Sequence, residues 1–166
     1  MKNSRVNYII LILLIGSIIA FGFYRDFIFK NINALLKAWD NEIDYNVPAS
    51  LAVIKTFDYS SLIALKWILT ILCTAIFMLI SLAFIKILFV PKKYIRYTFW
   101  SYTMLTGFSF AIIALGYLFK NQHQNFYSIS RYLMGMVQSP VLLMILISIF
   151  KLSEMQKKEI KKEIPN

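Results

Sequence analysis

The sequence predicts an all-α, polytopic membrane protein with four transmembrane helices in a single domain, and three observations support this. Four apolar stretches occupy residues 6–23, 62–90, 98–119 and 132–150. Each meets or nearly meets the roughly 20 helical residues that cross a hydrocarbon core about 30 Å thick. Hydrophobic residues make up 59% of the 166-residue chain and charged residues 16%, a composition too apolar for a soluble protein of this size. The basic residues collect at the ends of the stretches.

The first stretch has the general layout of a secretory signal, because Lys2 and Arg5 precede its apolar run. However, the run continues through Phe23 without a small-x-small cleavage site, and its length suits a membrane span better than a signal core. We therefore expect an uncleaved first helix over residues 6–23.

The second stretch, residues 62–90, contains neither Gly nor Pro and is longer than a bilayer requires. Lys66 and Lys86 lie 20 residues apart in it, which is about 30 Å along a helix. Each ammonium can reach its own membrane surface while its aliphatic stem stays in lipid. The two lysines therefore predict the two rims of the span.

The distribution of basic residues predicts the orientation. Eleven of the 18 basic residues lie before the first stretch, at Lys86, between the second and third stretches, and in the tail at 151–166. Basic residues are retained in the cytoplasm, so we expect cytoplasmic termini, with residues 24–61 and 120–131 outside. The net charge of +10 does not indicate nucleic-acid binding, since these residues form no basic surface with interleaved aromatics.

The outer loop, residues 24–61, contains a helical pattern. Its apolar residues recur at i, i+3, i+4 and i+7: Ile32, Leu35, Leu36 and Trp39. This spacing predicts a short amphipathic helix over 30–39 that lies on the outer leaflet. Asn46 and Pro48 then predict the start of a second short helix through Phe57. The loop either covers the helix bundle or forms a docking surface for a partner.

The fourth stretch carries the most unusual polar patch. Arg131, Gly135 and Gln138 are spaced to share one face of a helix. An amide in hydrocarbon requires a hydrogen-bond partner, and the candidates are Thr residues and a lysine of the second and third spans: Lys66, Thr70, Thr74, Thr103 and Thr106. Ser139 precedes Pro140, which removes a backbone donor and predicts a mild kink. The patch is either internal helix packing or a contact site for a membrane partner or exported peptide.

Two stripes of small residues predict further helix-packing faces. One lies in the third span at Thr103, Gly107 and Ala111, and the other lies in the first span at Gly16 and Ala20.

Residues that carry out catalysis are scarce. The single cysteine, Cys73, lies inside the second span, and the single histidine, His123, lies in a polar outer loop. We expect no metal site and no cofactor, because metal binding needs several ligands. Two alternatives stay open: an outer-leaflet thiol enzyme that uses Cys73, His123 and Arg131, and a small transporter or channel subunit. The second is disfavoured because no carboxylate falls within the predicted membrane core.

Two segments carry a resemblance to a known family. They are LKWILTIL at residues 65–72, and YSISR at 127–131 leading to QSP at 138–140. With the chain length and four-helix plan, they resemble the small membrane proteins associated with bacterial exosortases of the F and X types. The resemblance implies a non-catalytic accessory protein of the bacterial inner membrane, whose outer-face helix and loop contact an exosortase or another polytopic membrane protein. An exosortase is a cysteine transpeptidase-like enzyme that processes C-terminal sorting tails, and this chain does not resemble the enzyme itself.

Overall fold

The computed structural model describes residues 4–118 and 123–163. The helices of these two ranges are α1 (Ser4–Asp40), a 3-10 helix (Ala49–Thr56), α2 (Tyr59–Leu88), α3 (Lys92–Leu118), α4 (His123–Val137) and α5 (Pro140–Glu163). No strand occurs in either range. The predicted all-helical fold class is therefore confirmed for the described residues.

Three of these helices are long and apolar enough to cross a membrane: α1 from Tyr8 onward, α2 and α3. Helices α4 and α5 pass the same test only as a pair, and they are bent by 63° at the break between them. The described residues thus contain three candidate spans, or four if the bent pair is one span. The mild kink predicted at Pro140 is in fact a sharp break.

Helix α1 differs from the prediction because it continues far beyond residue 23. No Gly or Pro follows Gly22 before Asp40, so nothing in the local sequence stops the helix. The amphipathic segment predicted at 30–39 is helical, but it is the second half of α1 and not a separate helix. We name the chain between α1 and α2, residues 41–58, the outer segment.

The apolar face of this second half is covered by the protein itself. Ile32 and Leu35 are buried against Val47, Ile54 and Leu62, and Leu36 packs beside them. Trp39, at the end of the predicted stripe, stays half exposed. The side chains that the sequence assigns to the outer leaflet therefore pack largely against the outer segment and the start of α2.

The second short helix is present but is of the 3-10 type. It spans Ala49–Thr56, is preceded by Pro48, and contains one non-helical residue, Leu51, with φ −120° and ψ 18°. Asn46 lies before this helix and does not cap it. The outer segment is held close to α1, because the Tyr45 hydroxyl donates a hydrogen bond of 3.0 Å to Asn31 Oδ1 on α1.

A larger apolar core joins α1, α2, α3 and α5. Its buried members include Ile18, Phe77, Ile85, Tyr102 and Leu143. At one end, Tyr94 on α3 packs against Phe150 on α5, with ring centroids 4.6 Å apart. Phe89, in the short turn between α2 and α3, lies 5.2 Å from Tyr94 and 5.7 Å from Phe150. This aromatic cluster fixes α5 beside the beginning of α3.

Helices α3 and α4 form an antiparallel pair. The Ser109 and Ser130 hydroxyls lie 2.6 Å apart, and each hydroxyl oxygen also lies 3.0 Å from the other residue's carbonyl oxygen, so each hydroxyl can donate its one proton within the pair. Both residues are buried. Small hydroxyl side chains let two helices approach closely while satisfying each other's polar groups, so this pair fixes the register of α3 against α4.

The two predicted small-residue packing faces are wrong within this chain. Gly16 and Ala20 on α1 are exposed, as are Thr103, Gly107 and Ala111 on α3. A Cβ placed on Gly16 or Gly107 would meet no atom within 4 Å. The bundle packs through larger side chains and through the serine pair instead.

Candidate functional site

The break between α4 and α5 has a clear local cause. Ser139 stands directly before α5, and Pro140 is its first residue. The Ser139 Oγ accepts a 3.4 Å hydrogen bond from the Val141 N–H and donates to the Met136 carbonyl oxygen at 2.9 Å. Serine before a helix and proline at its first position are the preferred residues for a helix start. The sequence therefore begins a new helix at this point.

Gln138 occupies the break and is only 2% exposed. Its Nε2 donates to the Thr70 carbonyl oxygen at 2.8 Å and to Thr74 Oγ1 at 2.9 Å. The hydrogen bond predicted between this amide and the second span is therefore present. It holds the break against the middle of α2.

The amide oxygen of Gln138 binds Arg25, a residue that was not predicted to contact it. Gln138 Oε1 accepts hydrogen bonds from Arg25 Nε at 3.2 Å and from Arg25 Nη2 at 2.9 Å. Arg25 Nη1 also pairs with Asp26 at 2.6 Å. Arg25 was placed in the outer loop, yet the continuous α1 carries it to the break. The one available signal was the lack of a helix-stopping residue after Gly22.

We name Arg25, Thr70, Thr74 and Gln138 the polar junction. It joins α1, α2 and the α4–α5 break, and all four hydrogen-bonding positions of the Gln138 amide are used. A fully paired amide and a guanidinium are not the usual side chains for general acid or base catalysis. The arrangement therefore suits a structural connection between helices.

Lys66, another predicted contact residue, lies outside the polar junction. Its Nζ donates to the Tyr127 hydroxyl at 3.1 Å and lies 5.9 Å from the centre of that ring. This contact ties the first turns of α2 to α4. Thr103 and Thr106, the candidate partners on α3, do not reach Gln138; Thr103 Oγ1 donates to the Phe99 carbonyl oxygen instead.

The predicted patch on the fourth stretch is divided between two environments. Gln138 points into the bundle, whereas Arg131 is exposed. Tyr132 is 78% exposed, and a Cβ at Gly135 would meet nothing within 4 Å. The helical spacing places Ser128, Arg131, Tyr132 and Gly135 on one side of α4. We name these four residues the outward face of α4.

The residues of the thiol alternative are not brought together in the described parts of the chain. Cys73 is 6% exposed and belongs to the buried side of α2, whereas Arg131 lies on the outward face of α4. His123 begins α4, but its side chain lies outside what the structure describes. Within residues 4–118 and 123–163, no group of three or more His, Cys, Asp and Glu residues is placed to hold a metal ion.

A second exposed surface lies on the outer segment. It is an open cavity of about 390 Å³. Its walls combine apolar, acidic and basic side chains: Leu35, Ala38, Trp39, Glu42, Ile43, Asp44, Tyr45 and Lys55. Lys55 and Asp44 pair across it at 3.4 Å, both well exposed. Exposed pairs of this kind add little stability, so the cavity is a feature of the surface rather than of the core.

Comparison with known protein families, curated proteins and solved structures gave no match. The similarity to exosortase-associated proteins accordingly stays a prediction from residues 65–72, 127–131 and 138–140.

Proposed function

We propose that this protein is a non-catalytic accessory protein of the membrane, and that the outward face of α4 contacts a membrane-embedded partner. The observation that supports this is the division of α4 into two faces. Ser130, Met134 and Val137 are buried within the bundle, while Ser128, Arg131 and Tyr132 are exposed.

The composition of the outward face favours a protein partner over lipid tails alone. It combines a hydroxyl, a guanidinium and a phenol with exposed apolar neighbours, Ile129 and Met136. Mixed aromatic and arginine surfaces are typical of protein interfaces. The open space at Gly135 would allow the backbone of another helix to approach closely.

For the partner, we propose an exosortase in the bacterial inner membrane, on the resemblance of residues 65–72 and 127–140. The orientation proposed with it places both termini in the cytoplasm, as the basic residues suggest. The outward face of α4 and the outer segment would then lie on the side where sorting tails of exported proteins are processed.

The contacts of α4 and α5 support a broken fourth span in preference to a re-entrant loop. Ser130 bonds to Ser109 towards the end of α3, whereas Phe150 packs on Tyr94 at its beginning. The pair therefore runs along α3 from residue 109 back to residue 94, which is about 22 Å at 1.5 Å per residue. Four spans are consistent with termini on one side.

The two alternatives have less support. A thiol enzyme needs an accessible nucleophile, and Cys73 is buried. A transporter usually has polar groups in the membrane that are free to bind its substrate or ion, and the Gln138 amide is fully engaged with Arg25, Thr70 and Thr74.

Co-purification with a co-expressed exosortase in mild detergent tests the proposal. A Cβ at Gly135 would meet nothing within 4 Å, so we expect Gly135→Leu to abolish capture without lowering the melting temperature. Gly107→Leu is the matched control, because it fills equally open space on α3, and we expect normal capture. Equal capture by both variants would contradict the assignment of the outward face. No capture by the unmodified protein would contradict the proposed partner.

A further inference from the structure

A pair of lysines lies where α5 passes the beginning of α3. Lys93 is in the first turn of α3, and its Nζ lies 4.9 Å from the centre of the Tyr94 ring. Lys157 follows Phe150 by two helical turns on the same side of α5, and its charge interacts with that of Lys93. Because Tyr94 and Phe150 are in direct ring contact, the packing of the two helices brings both lysines to the same end of the α3–α5 pair.

Neither lysine of this pair forms an ion pair with a described carboxylate, including Glu154, which lies three residues before Lys157 on α5. Among the side chains that the structure describes, the ion pairs are Arg25–Asp26 and Lys55–Asp44, and neither involves these lysines. The first turn of α3 also contains no acidic residue, although the positive end of a helix dipole favours one. Two ammonium groups at a helix N-terminus repel each other, and a bound anion would relieve that repulsion.

Exposed aromatic and apolar side chains lie on the same two helices as the lysine pair. Tyr97 is exposed, and its ring centroid lies 6.5 Å from that of Phe150 on α5, so its hydroxyl is available as a further donor. Ile149 and Leu152 on α5 are exposed on the membrane-spanning part of the helix or close to its end. Tyrosine beside basic residues is typical of the level of lipid head groups, and the exposed aliphatic side chains offer a surface for acyl chains.

We propose that Lys93 and Lys157, with the Tyr97 hydroxyl, bind the phosphate of an anionic phospholipid and so tie α5 to the beginning of α3. A lipid is favoured over free phosphate because the basic groups lie beside exposed apolar surface at the end of two membrane helices. This inference is independent of the partner proposed for the outward face of α4. It requires only that α3 and α5 reach the membrane surface together.

Native mass spectrometry of the purified full chain tests the site, with phosphatidylglycerol or phosphatidylcholine added in detergent. We expect preferential retention of phosphatidylglycerol. Lys93→Gln with Lys157→Gln should reduce it towards the phosphatidylcholine level, by about fivefold per lysine. Lys93→Arg with Lys157→Arg keeps the charges and should retain the lipid. The circular dichroism of each variant checks that it is folded.

The matched control is Lys30→Gln with Lys37→Gln, which removes the same charge from exposed positions on the second half of α1. We expect this variant to retain phosphatidylglycerol normally. Equal loss in both Gln variants, or undiminished retention in Lys93→Gln with Lys157→Gln, would overturn the site. Displacement of phosphatidylglycerol by millimolar inorganic phosphate would overturn the assignment to lipid, because it would show that the phosphate group alone accounts for binding.

Discussion

Gln138 connects three parts of the protein with one side chain. Its carbonyl oxygen accepts from Arg25 on α1, and its amide nitrogen donates to Thr70 and Thr74 on α2. Hydrogen bonds of this kind each contribute only modestly to the free energy of folding, because polar groups on separated membrane helices also form hydrogen bonds with other partners. Their combined effect is considerable here, since one substitution removes all four.

We expect Gln138→Leu to lower the free energy of unfolding in detergent by about 2 kcal/mol, because four hydrogen bonds are lost and Thr74 loses its interhelical partner. Thermal or denaturant unfolding followed by circular dichroism measures this. Ser148→Ala is the control, since it removes only a hydrogen bond within α5, and we expect a change below about 0.5 kcal/mol. Equal stability of Gln138→Leu and the unmodified protein would contradict the role of the polar junction.

Asp58, directly before α2, gives a pH-dependent contribution to stability. Hydrogen bonds from Ser60 and Ser61 lower its pKa to about 2 from an ordinary value of 3.8. A lowered pKa in the folded state means that the contribution is complete above the unfolded-state value and is lost as the pH falls towards 2. As the pH falls from 3.8 to about 2, we expect the melting temperature of Asp58→Asn to change less than that of the unmodified protein. Glu42→Gln, an exposed change in the same outer segment, should keep the original dependence; identical profiles for Asp58→Asn and the unmodified protein would contradict the assignment.

At the level of the helices, the break between α4 and α5 shows what local sequence encodes. Ser139 and Pro140 are together a standard helix start, but inside an apolar stretch they were interpreted as a mild kink. The 63° bend follows from a new helix that begins at Pro140, and the buried Gln138 holds the break in place.

We expect the distance between spin labels at Ser128 and Leu152, in a Cys73→Ala background, to be about 5 Å shorter than the roughly 36 Å that a straight helix would give. Ser139→Ala with Pro140→Ala should lengthen the distance between the two labels, because the residues that favour a helix start are removed and residue 140 regains a backbone N–H donor. Double electron–electron resonance measures both. An unchanged distance in the variant would show that tertiary contacts alone impose the bend.

The helices were easier to predict than their contacts. Residues 62–90 and 98–119 largely coincide with α2 and α3, because the backbone of a long apolar run in lipid must satisfy its own hydrogen bonds, as a helix does. The contact between Arg25 and Gln138 was not predicted, since it joins residues 113 positions apart and depends on how far α1 continues. The small-residue stripes failed for a related reason: a pattern shows which face permits close packing, and it does not show whether a neighbour is present.

At the scale of the whole molecule, the proposed topology places the outer segment and the end of α5 on opposite sides of the membrane. In a Cys73→Ala background, we expect Ile43→Cys to react with an impermeant maleimide in intact cells. Met155→Cys, also exposed, should react only after lysis. Labelling of Met155→Cys alone in intact cells would show the reverse orientation, and labelling of both variants would contradict a fourth crossing.

The continuity of α1 has a mechanical consequence. Its 37 residues make a rod about 55 Å long, nearly twice the thickness of the hydrocarbon layer. Trp39 and Gly16 therefore lie on one continuous helix. In the proposed topology, a thinner bilayer that increases the tilt of this helix would also bring the outer segment closer to the lipid. The distance between the outer segment and the membrane surface would then depend on bilayer thickness.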